Sequence, residues 1–255
     1  MKEHEIYSEI KVPLSSNLIL RLDGRNFHGL SKKLNLKTPF DHDFSTIMVK
    51  TGLDIFKEFS PLFVYTLSDE INILFNHIPF SGRVEKLNSV FSSLASSSLT
   101  LNIKRFTKDV DKNSDGSIRK LDHDDLFPIA FDSRIILVSN DEIFSYFKWR
   151  QDEAYRNCIN SYGYWALKEE YEGLKLKKML YGLKLSDIHE HLFRKNGINL
   201  GKLPKWQRRG VGIYKKDETN ASQNDDSMDG NVSKRNKFVF VDEELPKFNR
   251  EFFNF

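Results

Sequence analysis

Apolar residues gather into short strand-like runs separated by stretches of helical period. Leu18-Ile19-Leu20-Arg21-Leu22 reads as a first strand, ending at Asp23-Gly24-Arg25-Asn26-Phe27-His28. A helix starts near Asp41 or Asp43, either a suitable N-cap. Its apolar positions Phe44, Ile47, Met48, Ile55, Phe56 and Phe59 recur at helical spacing. Leu62-Phe63-Val64-Tyr65-Thr66-Leu67-Ser68 is a second strand, and Ile71, Ile73 and Phe75 alternate against Asn72 in a third. The tight polar turn between them predicts a hairpin. Leu87, Val90, Phe91, Leu94 and Ala95 mark a second amphipathic helix, and Arg134-Ile135-Ile136-Leu137-Val138 a fourth strand.

Strand, helix, strand, strand, helix, strand is the ferredoxin-like order: an α+β fold with helices on one face of an antiparallel sheet. Strands one and three are then central, and Asp23 and Asp69 reach the same sheet edge. Nucleotide polymerase palms share this core, although a fold by itself assigns no chemistry. The expected organisation is a catalytic core over residues 1–140, a helical and basic region over 141–216, a mobile insertion over 217–237, and a C-terminal strand and tail over 238–255. The insertion is expected because Asp217 to Lys237 is rich in Asn, Ser and Asp, with almost no apolar residues. Phe238-Val239-Phe240-Val241 reads as the returning strand. Asp111, Asn113, Asp115 and Gly116 resemble the start of a calcium loop, but Asp122 stands where the closing Glu belongs, so an ordinary surface loop is expected.

Composition narrows the classes. The 255 residues, 39% hydrophobic with 21 Phe, fit a folded soluble protein, and a net charge of +3 permits a nucleic-acid partner. No apolar run approaches the roughly 20 residues of a membrane span. The acidic start Met1-Lys2-Glu3-His4-Glu5-Ile6 does not resemble a signal peptide, and a lone Cys158 forms no intramolecular disulfide and no multi-cysteine zinc site. The expectation is a reduced, cytoplasmic protein with no membrane partner, and Cys158 as a packed thiol.

Two carboxylates at one sheet edge repel each other, so a divalent cation is the natural third party. The bland reading is that both are turn residues, since Asp-Gly is common turn chemistry. Gly24 permits close backbone approach and offers its carbonyl, while Arg25, Asn26 and His28 supply donors for triphosphate oxygens. Downstream, Lys202, Lys205, Arg208, Arg209, Lys215 and Lys216 surround Trp206, a pattern suited to phosphate contacts beside base stacking. His189 and His191 lie two apart and fall on different helix faces, which argues against a metal pair.

Leu20-Arg21-Leu22-Asp23-Gly24-Arg25-Asn26-Phe27-His28, followed by Ser68-Asp69-Glu70, resembles the signature of tRNA-His guanylyltransferases and their relatives. The resemblance continues through Phe131-Asp132-Ser133-Arg134, Trp149-Arg150-Gln151, Asn157, Trp165, Gly197-Ile198-Asn199 and Lys205-Trp206-Gln207-Arg208-Arg209-Gly210. It implies a nucleotidyltransferase that extends tRNA 5′ ends in the 3′-to-5′ direction, after activating the 5′ phosphate with ATP. The 3′-hydroxyl of GTP or another nucleotide then attacks the activated phosphate. By the same resemblance Asp23, Asp69 and the Gly24 carbonyl hold two Mg²⁺ ions, with Glu70 and Arg134 joining them in catalysis. Asp23 through His28 (Phe27 included), Ser68, Asp69, Lys37 and Lys86 meet the nucleotide. Arg150, Arg156, Asn157, Lys205, Arg208 and Arg209 meet the RNA, which spans subunits of a homotetramer.

Two departures stand out. Where members specialised for tRNA-His carry a leading His, this chain has Tyr155, followed by Arg156-Asn157-Cys158-Ile159-Asn160-Ser161. That favours the branch that extends or repairs 5′ ends by Watson–Crick templating. The family's activation-site Lys before Pro corresponds to Thr38, with Lys37 adjacent. The rivals are a tRNA-binding module without turnover, which intact Asp23, Gly24 and Asp69 disfavour, and a palm-fold nucleotide cyclase, which the RNA-like C-terminal half disfavours.

Overall fold

In the computed structural model, residues 1, 4–109, 128–168, 170–217 and 237–254 are described. The expected surface loop at Asp111–Asp122 and residues 218–236 of the expected insertion lie outside them.

The elements run β1 (Asn17–Gly24), α1 (Phe27–Leu34), α2 (His42–Phe59), β2 (Phe63–Leu67), β3 (Glu70–Phe75), α3 (Val84–Asp109), β4 (Phe131–Val138), α4 (Asn140–Lys168), α5 (Gly173–Gly182), α6 (Leu185–Asn196), α7 (Lys205–Arg209), β5 (Val211–Asp217) and β6 (Lys237–Asp242). Among the described residues the strands form one sheet in the order β4-β1-β3-β2-β5-β6, antiparallel at every pairing. The first four strands make the expected ferredoxin-like arrangement. β5 and β6 extend it beyond β2, and the pairing reaches Asp217 and Lys237, both expected in the insertion.

The local chemistry of α2 is visible at its start. The Asp41 carboxylate caps it, accepting from Phe44 N–H at 2.9 Å, while its other oxygen accepts from Lys37 N–H at 2.8 Å. Ile47, Met48, Ile55 and Phe56 are buried from α2, and Leu87, Phe91, Ala95, Leu99 and Ile103 from α3. Both helices pack on the even-numbered side of β1, against Leu18, Leu20 and Leu22, and on Ile71 and Ile73 of β3.

The two core helices lie on one face, as expected, and the C-terminal region adds a helix on the other. α4 lies on the opposite face, where Tyr146, Phe147 and Ala154 join Ile19, Phe63, Tyr65, Leu74, Leu245 and Phe248 in a second core. On this second face the central strands carry Ile19 and Leu74 beside polar residues, and the C-terminal half covers the apolar part. Farther along α4, Ile159 and Ala166 form a third cluster with Ile188, Leu192 and Leu200. Cys158 is buried, as expected, and burial pushes its thiol up to about 12.

Candidate active site

β1 delivers Asp23 to the sheet edge, and the two-residue β2–β3 turn delivers Asp69 beside it. Leu67 pairs with Glu70, leaving Ser68 and Asp69 as the turn, with Ser68 in the left-handed region at φ 51°. The turn is tied to β1 by a hydrogen bond from Gly24 N–H to the Asp69 carbonyl at 3.1 Å. Gly24 is required there for another reason: a Cβ would stand 2.1 Å from the Phe27 ring. Phe27 itself meets Phe44 and Phe131 edge-on and packs against the α2–α3 core, so its ring points inward at the start of α1.

Burial, with the charges of Asp23 and Glu70, pushes the Asp69 carboxyl up to about 6, against hydrogen bonds from its own backbone and Ser68 that pull it down. A carboxylate that resists ionising beside another is poised to take a cation. On β4, Arg134 Nη2 stands 3.6 Å from Asp23 Oδ2 and Nε 3.5 Å from Asp132 Oδ1. Asp132 is the cross-strand partner of Asp23. The structure therefore brings Asp23, Gly24, Ser68, Asp69 and Arg134 to one edge, with exposed Arg25, Asn26 and His28 in the adjoining segment.

Glu70, expected in catalysis, is turned under α4 and paired there. Arg150 grips it through Nε–Oε1 at 2.8 Å and Nη2–Oε2 at 2.5 Å, and Asn72 Nδ2 donates to Oε1 at 2.7 Å. Tyr146 O–H donates to Asn72 Oδ1 at 2.7 Å, which closes a buried network. Arg150, expected at the RNA, acts within the fold as the counter-ion of Glu70, with its side chain 11% exposed. The pair fixes the strand that follows Asp69.

The basic segment near Trp206 makes contacts within the fold. Lys205 pairs with Glu244 at 2.9 Å, Arg208 donates to the Leu203 carbonyl at 2.9 Å, and Arg209 to the Leu245 carbonyl at 2.8 Å. Trp206 packs against Phe40 and His42. Gly210 follows at φ 71°, where a Cβ would lie 2.6 Å from the Thr66 carbonyl oxygen. These contacts seat α7 and β5. On α4, by contrast, Tyr155, Arg156 and Asn157 are exposed, with Arg156 paired to Glu153. Lys37 is exposed before α2. Lys86 is exposed in the first turn of α3. It precedes Ser96, whose Oγ accepts from Phe131 N–H at 3.2 Å, by ten residues, about 15 Å of helix, and so stands away from the Asp23 edge within the chain.

Sequence reasoning passed over Asp132 as a site residue. Its signal was available: Asp132 and Arg134 are two apart on a strand, hence on one face.

Among the described residues no group of three or more His, Cys, Asp or Glu side chains gathers as a metal cage, and no helix is long and apolar enough to cross a membrane. Two carboxylates and a backbone oxygen are a small donor set. It fits an ion such as Mg²⁺, which keeps waters and takes substrate phosphates as further ligands.

Residues 1–139 match the family model described as tRNAHis guanylyltransferase, and residues 141–245 the model of the Thg1 C terminal domain. The chain is 29% identical over 211 residues to the probable tRNA(His) guanylyltransferase of Dictyostelium discoideum, covering 80% of this chain and 77% of that protein. It is 25% identical over 249 residues to tRNA(His) guanylyltransferase 1 of Arabidopsis thaliana, of which it spans 41%. A bacterial tRNA(His) guanylyltransferase (Thg1)-like protein solved in complex with ATP is similar in structure, with a TM-score of 0.70 and 27% identity, over 97% of this chain and 92% of that one. The chain belongs to the tRNAHis guanylyltransferase family, whose members are nucleotidyltransferases.

Proposed function

We propose that this protein adds nucleotides to the 5′ end of tRNA in the 3′-to-5′ direction, directed by the opposite strand, with guanylate addition to tRNA-His among its reactions. The observation that carries the reading is the Gly24–Asp69 hydrogen bond, which locks two carboxylate-bearing strand ends side by side. Asp23, Asp69 and the Gly24 carbonyl would hold two Mg²⁺ ions. Bound there, the metals neutralise phosphate charge and activate the attacking oxygen. The chain's own residues bind and orient. The first turn of α1 carries no acidic side chain, so its positive end suits phosphate oxygens, with Arg25, Asn26 and His28 beside it. Arg134 offsets negative charge at Asp23. Arg156 and Asn157 present a polar, exposed stretch of α4 to the RNA.

ATP is the proposed activator of the 5′ phosphate, a reading supported by the relative solved with ATP. Tyr155, in place of the family's leading His, favours templated extension over non-templated guanylate addition. Residues 1–140 would supply the catalytic core and 141–216 the tRNA-binding region, in a homotetramer that sedimentation with and without tRNA would measure.

The test incubates the protein, Mg²⁺, ATP and labelled GTP with full-length and 5′-truncated tRNAs. Extension should follow the opposite base; extension that ignores it overturns templating, and no extension of any tRNA overturns the enzyme reading. Asp69→Ala should lower turnover on the order of 10³-fold or more while tRNA binding stays near wild type.

A further inference from the structure

The sheet face that carries Asp23 is covered unevenly. α4 and the C-terminal segment close it over β2 and β3. Toward the β4 edge the side chains of Asp23, Asp132 and Arg134 keep 35, 58 and 51% of their surface. Trp149 stands at the boundary, 48% exposed. A single exposed aromatic residue is ordinary, but this one is braced on several sides. The Arg150 guanidinium lies 4.6 Å from its ring centroid and that of Arg21 5.8 Å, and the Tyr146 ring meets it edge-on at 5.8 Å. Arg150 and Tyr146 are in turn fixed by Glu70 and Asn72. The indole is thus half open to solvent, yet held, and loses little freedom when a flat ligand settles on it.

Its neighbours are cationic. Arg21 has its Nε buried without a hydrogen-bond partner, and it is the cross-strand partner of Arg134, so both cations rise from the sheet face that carries Asp23, Arg21 toward the indole and Arg134 toward Asp23. Arg156 follows Trp149 by seven residues on the same helix stripe, about 10 Å farther on.

We propose that Trp149 is the stacking platform for the base at the 5′ end of the RNA substrate, with Arg21 and Arg134 taking the adjoining phosphates. The proposal deepens the 5′-end reaction above and rests on it. Stacking is blind to base identity because every base has a π-face. An indole here adds affinity and position and leaves the choice of nucleotide to pairing with the opposite strand. The same face, continuous with the Asp23 edge, would deliver the 5′ phosphate to the carboxylates.

The experiment uses full-length protein and a 5′-monophosphorylated tRNA whose first nucleotide is an unpaired 2-aminopurine, a base whose fluorescence falls on stacking. Wild-type protein should quench it. Trp149→Ala should lose the quench and bind this tRNA about tenfold more weakly, while Trp149→Phe keeps most of both. ATP affinity should be the same in all three, which also reports an intact fold. Equal quenching by wild type and Trp149→Ala overturns the proposal. So does failure of Trp149→Phe to retain binding, or an ATP affinity that weakens in step with the RNA's, which would give the platform to the nucleotide instead. A Trp149-dependent quench by a protein that extends no tRNA overturns the proposed reaction and leaves the platform standing.

Discussion

The two faces of the sheet share every strand and have little else in common. Under α2 and α3 lie Leu18, Leu20, Leu22, Val64, Ile71 and Ile73, all fully buried. One residue along, the same strands put Arg21, Asp23, Glu70, Asn72, Asp132 and Arg134 on the other face, beside an aromatic core under α4. A period of two separates the jobs. The apolar face holds the strands in register, and the polar face can then carry charges at fixed spacing. The difference is also one of kind. Truncating an apolar side chain leaves a cavity, whereas truncating one member of an ion pair leaves the other buried and unpaired.

Arg150→Ala tests that most severely. It strands Glu70, a buried carboxylate, and should cost about 3–5 kcal/mol in denaturant unfolding. Leu20→Ala on the opposite face removes only apolar atoms and should cost about 3 kcal/mol. Replacing both ends of the pair, Arg150→Met with Glu70→Gln, should recover most of the loss, because no charge then remains unpaired. A single Arg150→Ala milder than Leu20→Ala would erase the contrast between the faces.

Asp69 gives a smaller effect with a definite sign. Its carboxyl is raised from 3.8 to about 6, so the folded, metal-free protein holds the proton more tightly than the unfolded chain. Asp69's own contribution to stability is therefore greatest below about pH 4, falls as pH rises toward about 6, and is level above that. Asp69→Asn should remove this slope and stabilise the metal-free protein at pH 7 by about 1–2 kcal/mol, allowing for partial solvent screening. Thermal melts from pH 4 to 7.5 measure it. The proposed Mg²⁺ site requires the ionised carboxylate, so Mg²⁺ affinity in the wild type should climb through the same interval. A difference in stability between Asp69→Asn and wild type that does not grow from pH 4 to 6 in the metal-free protein would mean that Asp69 is not crowded by Asp23 and Glu70.

The apolar face is the legible one. α2, α3 and the first four strands announce themselves through periodicity, and the topology they dictate is enough to set Asp23 and Asp69 together. α1 escapes a reading of the sequence because Phe27 looks like part of a phosphate loop, whereas its ring is an inward anchor that only packing reveals. β5 is hidden by Lys215, Lys216 and Asp217, whose charges mask the alternation of Val211 and Ile213. The internal pairings of Arg150 and Arg209 share one cause. Whether a cation meets solvent or a partner depends on residues far away in sequence: Glu70 is 80 positions from Arg150, and Leu245 is 36 from Arg209. A charge pattern carries no record of such pairings.

The mildest expected change in stability is at Arg134, and it separates the two roles the polar face can give a charge. Arg134 is half exposed and stands 3.6 Å from Asp23 and 3.5 Å from Asp132. Partial exposure weakens such pairs, so Arg134→Gln should shift unfolding by less than about 1 kcal/mol, in contrast to Arg150→Ala. Its effect on ligands should be larger and of opposite sign for two of them. Without nucleotide or RNA, the guanidinium competes with a divalent cation for Asp23; removing it should tighten Mg²⁺ binding a few-fold at low ionic strength, and less as salt screens the interaction. With RNA present the same substitution withdraws a phosphate contact, so tRNA binding should weaken and its salt dependence should flatten by about one ion. Calorimetry with Mg²⁺ alone and tRNA titrations at several salt concentrations measure the two arms. Weaker Mg²⁺ binding in Arg134→Gln would show that Arg134 orders Asp23 for the metal instead of competing with it, and would make the open edge of this face as structurally committed as the edge under α4.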